Sequence, residues 1–182
     1  MYKLRSKNEL VSSYQSGERN FQHTILTAIN LSGGNFQHIV LDESNLIEVD
    51  WNNCNLNQAS FKKACLGLSN FQNCCLESVD FNEANLEEAN LESANLANTD
   101  LRAANLKGAN LKGANLRGAK LSDACLLEVA YDLDTQFDSD FAPQTAGMIL
   151  VDCSLAQSEV EQKGVVKKLW AWCSSPKFRL QD

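Results

Sequence analysis

"ANLEEANLESANLANTDLRAANLKGANLKGANLRGAKL", residues 84–121, is written in units of five. Each unit carries Ala or Thr, then Asn, Asp or Lys, then Leu, then two variable residues. Working outward from this stretch, the register holds through residues 21–126 without a miss. Its large positions are Phe21, Leu26, Leu31, Phe36, Leu41, Leu46, Trp51, Leu56, Phe61, Leu66, Phe71, Leu76, Phe81, Leu86, Leu91, Leu96, Leu101, Leu106, Leu111, Leu116, Leu121 and Leu126, 22 units in a row. A period of five is neither the 3.6 of a helix nor the 2 of a flat strand. The backbone must turn a corner once per unit.

The period constrains the architecture further. If each unit supplies one short extended face and one turn, the large residue and the small residue two before it point inward together. The Asn or Asp between them and the two residues that follow then point outward. Four faces close a coil of about 20 residues, and coils stacked at roughly 4.8 Å build a rod of five and a half coils, roughly 25 Å long. Stacking residue n on n + 20 gives apolar inner ladders such as Phe21, Leu41, Phe61, Phe81, Leu101, Leu121, and a small ladder Thr24, Ser44, Ala64, Ala84, Ala104, Ala124. It also sets Glu87 against Lys107 and Glu92 against Lys112. Burying one Leu or Phe stabilises by roughly 1.5–3 kcal/mol, whereas ordering five backbone residues costs about 1–2 kcal/mol each. A lone coil cannot stand, and stacking must supply the difference. Gly108, Gly113 and Gly118, each second after a Leu, suit a corner with positive φ.

The tandem Ala-Asn-Leu-x-x units over residues 19–130 resemble the pentapeptide-repeat proteins, and the flanks "ELVSSYQSGERNF" and "TQFDSDFAPQTAGMIL" resemble those of cyanobacterial members. The resemblance implies an all-β solenoid, a right-handed quadrilateral β-helix, here with short capping helices at both ends. The chain accordingly divides into an N-terminal capping helix (1–18), the repeat β-helix (19–130) and a C-terminal cap (131–182).

Both caps have sequence signatures. A solenoid exposes strand edges top and bottom, which invite pairing with other chains unless covered. Ser6 and Glu9 form a capping box, Leu10, Val11 and Tyr14 an apolar stripe and Gly17 a stop, which predicts a helix over 7–16. Arg19 takes a small inward slot, tolerable only at the open end. At the far end Tyr131 keeps the register and Gln136 breaks it. Pro143 suits the first turn of a short helix, residues 148–151 an extended segment on the last coil, and 153–155 one further out-of-register unit. Ser158 and Glu161 form a second capping box. Val165, Val166, Leu169, Trp170, Trp172 and Cys173 then make an apolar stripe opposed by Lys163, Lys167 and Lys168. A lid folded on the last coil is expected, and with it a monomer. Trp170 and Trp172 are the candidate partner surface, and the route to a dimer if one forms.

Composition narrows function. A net charge of −7 argues against a nucleic-acid binder, which needs a basic face. No apolar run approaches 18 residues and "MYKLRSKNEL" has no signal-peptide core, so a cytoplasmic protein without membrane contact is expected. Of seven Cys, Cys54 and Cys74 fall in small inward slots, while Cys65, Cys75 and Cys125 replace the outward Asn; packing rather than redox or metal chemistry explains them. His23 and His38 sit in separate turns. The acidic residues Glu77, Asp80, Glu83, Glu87, Glu88 and Glu92 wrap around one coil instead of converging. No catalytic, cofactor or metal constellation is present in the sequence pattern. The expected function is therefore a non-enzymatic rigid scaffold for protein–protein interaction, with walls bearing Gln22, Gln37, Asn52, Asn57, Lys62, Lys63 and Gln72. The alternative implied by the resemblance is a DNA mimic that protects DNA gyrase from quinolones. Against it, the acidic coil is followed by one carrying Arg102, Lys107, Lys112, Arg117 and Lys120, so the rod is banded.

Overall fold

The computed structural model describes residues 6–151. Helix α1, Lys7–Gln15, begins where the extended Ser6 accepts the Glu9 N–H on its hydroxyl at 3.3 Å. Its Leu10 is fully buried in the same cluster as the coil interior. Tyr14 meets the Phe36 ring edge-on at 5.3 Å and donates its hydroxyl to the Gln37 carbonyl at 2.9 Å, which docks the helix on the first coil. Arg19 lays its guanidinium 3.9 Å from the Tyr14 ring centroid and donates to the Tyr14 carbonyl, so the charge sits over an aromatic face at the open end.

The repeats coil as a right-handed quadrilateral β-helix, each unit bridging the one 20 residues on in parallel, from Asn20↔Val40 to Asn110↔Ala130. The five amides of the unit around Leu86 show why the coil is self-sufficient. Leu86 and Glu88 donate up the stack to the Asn105 and Lys107 carbonyls (2.7 and 2.9 Å), and Asn85 donates down to Ala64 (2.9 Å). Ala89 closes the corner on Leu86 (3.0 Å), and Glu87 donates to the Asn85 side chain (3.1 Å). No amide is stranded. The corner places a left-handed residue second after each large one. Gly serves at Gly108 and Gly113 among others, but Ala, Glu, Asn, Lys, Ser and even Leu68 (φ 59°) take the same conformation. The stack imposes this geometry on residues that do not favour it.

Inside, every large ladder residue is buried except Leu121, which is half-buried beside the last coil. Rings stack within a ladder, Trp51 on Phe71 and Phe61 on Phe81 at 6.2 and 5.3 Å, and meet edge-on across the interior, as Trp51 does Phe61 at 5.7 Å.

At the far end one residue is inserted, so that Asn115 bridges Gln136 and Phe137 takes the inward position, 5.8 Å from Tyr131. The extra residue is absorbed by a loop in which the Asp132 carboxylate accepts the N–H groups of Gly113, Asp134 and Thr135. In place of the short helix expected after Pro143, the chain makes overlapping turns. Ala146 bonds back to Ala142 and Pro143, and Gly147 (φ +83°) ends them after one turn. That stop delivers β2, Ile149–Leu150, alongside β1, Ala130–Tyr131, as a parallel pair. The expected unit at 153–155 and the stripe bearing Trp170 and Trp172 lie outside the described residues.

Candidate interaction surface

Each wall takes its name from its first inner residue. The outward Asn and Asp do not simply face solvent, as the alternation suggests. Their side chains lie flat on the wall, and Asn90 and Asn110 are only 2% and 4% exposed. On the Leu31 wall they bond side chain to side chain up the stack. Asn110 donates to Asn90, Asn90 to Asn70, and both Asn70 and Asn30 to the Asp50 carboxylate, all at 3.0–3.1 Å. Asn105 and Asn115 repeat the link to Asn85 and Asn95 on the two neighbouring walls. The Asn is structural: its carbonyl oxygen receives the one amide that the coil leaves over.

The two positions after each large residue are less engaged, although Asp42 and Asn57 accept backbone N–H groups of the next coil and Asn82 donates to its Arg102 carbonyl, and the walls differ in what they hold there. The Phe21 wall is charged but internally paired. Lys62 meets Asp80 at 3.1 Å and Lys63 meets Glu83 at 3.7 Å, while the Arg102 guanidinium holds the Asp100 carboxyl below its usual range. On the Leu31 and Phe36 walls these positions are mostly amide, serine and glycine: Ser32, Asn53, Gln72, Asn57, Gln58, Asn98. There Lys112 stands 3.9 Å from Glu92, whereas Glu87 and Lys107 share a column on the Leu26 wall without forming an ion pair. The Leu26 wall is different. Ile25 (44% exposed), Ile47 (37%), Leu68 (44%) and Leu127 (50%) all lie on it or on the corner that closes it. Between Ile25 and Leu68 sit Thr27, Ala28, Asn45, Cys65 and Gly67, and Glu48 is the only charge there. Three stacked coils thus present aliphatic side chains to solvent on one wall alone.

The thiols divide by wall side. Cys54 and Cys74 are buried and donate to the Leu31 and Trp51 carbonyls; burial pushes the Cys54 thiol up to about 11 and Cys74 further in the same direction. Cys65, Cys75 and Cys125 are exposed. His23 and His38 occupy corners of different walls, His23 3.4 Å from Glu43. Among the described residues no group of three or more His, Cys, Asp or Glu gathers to hold a metal ion.

A family model described as pentapeptide repeats, in eight copies, matches residues 35–73, 64–102 and 94–126. The chain belongs to the pentapeptide-repeat family. Among solved members it is similar to HetL of the cyanobacterium Nostoc sp. strain PCC 7120, a protein involved in heterocyst differentiation regulation. The identity is 30% and the TM-score 0.68, over 73% of this chain and 58% of HetL, so the chain spans under two thirds of that protein's length. Rfr23 of the cyanobacterium Cyanothece 51142 is 26% identical with a TM-score of 0.37, over 73% of this chain and all of that one. QnrB1, a plasmid-mediated fluoroquinolone resistance protein, is 15% identical with a TM-score of 0.41, over 83% of this chain and 88% of its own. Comparison with curated proteins gives no match.

The aliphatic wall of this pentapeptide-repeat rod escapes a reading along the chain, because Ile25, Ile47 and Leu68 fall in three different positions of their units. Sorting outward residues at a period of 20, not five, brings them together.

Proposed function

We propose that this chain is a non-enzymatic protein-interaction rod that engages its partner through the Leu26 wall. One observation carries the reading: the large aliphatic side chains that the regular coils leave exposed share that wall, while the other three are paired or amide-covered. A rigid wall loses little conformational entropy on binding, so even a small apolar contact translates into affinity. HetL's part in regulating differentiation is of the kind that binding alone can serve. A cytoplasmic setting goes with the reading, since an odd number of thiols suits a reducing compartment.

The test is affinity capture with the wild-type chain, with Ile47→Lys/Leu68→Lys, and with the control Gln58→Lys/Gln72→Lys on the amide walls. All three should fold, because Lys already stands at such positions in Lys62, Lys63 and Lys112. A partner retained by the wild type and the control but lost by the Leu26-wall variant is the expected result. Loss with the control and retention by the Leu26-wall variant would overturn it.

A further inference from the structure

Gly67 opens a gap in the middle of the Leu26 wall. The column directly after the large residues reads Thr27, Ile47, Gly67, Glu87, Lys107 and Leu127, so every coil but the third carries a side chain there. Apart from its chain neighbours, a Cβ on Gly67 would meet only the Glu87 carbonyl oxygen, at 3.6 Å. Coils are about 4.8 Å apart, so Ile47 and Glu87 stand about 9.6 Å from each other in the column. One further side chain fits between them.

The border of this gap is of two kinds. Ile47 and Leu68 supply exposed aliphatic surface. Leu68 itself lies between two carboxylates, because the corner column reads Glu48, Leu68, Glu88. Glu48, Glu87 and Glu88 form no ion pair among the described residues, unlike the carboxylates of the Phe21 wall. The floor adds a donor. In the second, fourth and fifth coils the matching N–H groups, of Ile47, Glu87 and Lys107, donate to the Asn side chain two residues back at 3.4, 3.1 and 3.1 Å. Cys65 holds that place in the third coil, and the Gly67 N–H has no acceptor among the described residues.

We propose that the gap takes a lysine or arginine side chain of a protein partner, and that the partner meets the Leu26 wall with a basic, apolar peptide segment. The stem of the side chain lies over Gly67 against Ile47 and Leu68, and its head ends among Glu48, Glu87 and Glu88. A backbone carbonyl of the same segment accepts the Gly67 N–H, and its apolar residues cover Ile25 and Ile47. A long cationic side chain suits such a border, because its methylenes cover apolar surface while its head stays with charge and water. A neutral or acidic segment would leave three carboxylates unpaired beneath it, and covering an unpaired charge is costly. The proposal rests on the Leu26 wall being the adhesive one and adds the chemistry of what it holds.

The probe is a fluorescein-labelled helical peptide of Leu-Lys-Lys-Leu repeats, its binding to the full chain followed by anisotropy at low salt. Glu87→Gln/Glu88→Gln should weaken binding about tenfold, whereas Glu77→Gln/Asp123→Asn, which removes the same charge from other walls, should change it less than about twofold. Added salt should weaken the wild-type complex more than that of Glu87→Gln/Glu88→Gln. Gly67→Leu is the sharper variant. It should fold, since Leu127 fills the same column, and it enlarges the apolar surface while closing the gap. Its affinity should fall about fivefold or more.

A Gly67→Leu complex as tight as wild type would overturn the gap, and equal binding of the matching Leu-Glu-Glu-Leu peptide would overturn the cationic class. A wild-type dimer that Leu68→Glu turns into monomer would make the occupant a second copy. If partner capture is abolished by Ile47→Lys/Leu68→Lys but untouched by Glu87→Gln/Glu88→Gln and Gly67→Leu, the wall reading stands and this proposal falls. Capture indifferent to all three variants sinks both together.

Discussion

Asn110 donates its side-chain amide to the Asn90 carbonyl oxygen at 3.1 Å, and the same oxygen accepts the Glu92 backbone N–H at 3.2 Å. One atom thus ties a unit to its own corner and to the next coil. Asn90→Ala should cost about 1–3 kcal/mol, the range for leaving a buried donor unpaired. Cys65 occupies the equivalent slot one coil below Asn85, where a thiol is a poor substitute acceptor. Cys65→Asn should therefore gain about 0.5–1 kcal/mol. Urea melts of both variants check the pair; a neutral Asn90→Ala would refute the structural role of the column.

Leu86 is fully buried in mid-stack, and its neighbour Glu87 points outward and forms no ion pair among the described residues. Leu86→Ala should lose about 2–5 kcal/mol, because flanking coils held by backbone bonds cannot collapse into the cavity. Glu87→Ala should change stability by about 0.5 kcal/mol or less. Equal losses in chemical denaturation would contradict the assignment of sides.

Ala103 sits at a corner with φ 56° and donates its N–H to Ser122 at 3.0 Å. Gly adopts that conformation freely but loses more entropy on folding, so Ala103→Gly should gain only about 0.5 kcal/mol. Ala103→Val should lose about 1–2 kcal/mol, since a β-branched side chain is most strained there. Among the described residues none of the non-glycine residues at positive φ is Val, Ile or Thr, as this strain requires. Thermal melts should rank the three Gly above Ala above Val.

The family and its coil are legible in the sequence because a single rule, one large residue every five, repeats often enough to exclude other periods. What escaped is of two kinds. The flat-lying Asn column comes from backbone accounting, namely that each unit has one amide without a carbonyl, and alternation alone assigns that residue to solvent. The aliphatic diagonal of Ile25, Ile47 and Leu68 exists only once coils are stacked. Past Gln136 the signal thins, since one inserted residue and the Asp132 carboxylate do by side chain what the repeats do by backbone.

Cys54 and Cys74 give the fold an alkaline limit. Burial raises the Cys54 thiol from 9.0 to about 11, and Cys74 moves in the same direction. The folded state then holds protons that the unfolded chain releases, so this stability is fully present below pH 9.0 and is lost as pH rises toward and through the folded values. The fall should approach about 1.4 kcal/mol per pH unit for each thiol. Cys54→Ala/Cys74→Ala, tolerable where Ala59 and Ala64 fill the same kind of slot, should flatten it. A thiol reagent at pH 8 should label Cys65, Cys75 and Cys125 and spare the buried pair until denaturant is added.

The last expectation is negative and electrostatic. A protein standing in for duplex DNA must present a continuous line of negative charge, because a DNA-binding groove reads successive phosphates. The wall richest in carboxylates, the Phe21 wall, spends them internally: Asp80 on Lys62, Glu83 on Lys63 and Asp100 on Arg102. On the Leu26 wall Glu87 and Glu88 are followed one coil on by Lys107, and on the Leu31 wall Glu92 is followed by Lys112. A ligand tracking any wall would meet an alternating field that cancels within about a Debye length of 10 Å at 0.1 M salt. The purified chain should therefore neither inhibit DNA gyrase supercoiling nor relieve its poisoning by a fluoroquinolone. The charge-smoothed variant Lys62→Glu/Lys63→Glu/Arg102→Glu/Lys120→Glu, which removes every outward-facing Lys and Arg from the Phe21 wall, is the informative companion. Protection by the wild-type chain at stoichiometric concentration would sink the argument, and protection by the smoothed variant alone would show that the cancelled field is what withholds mimicry.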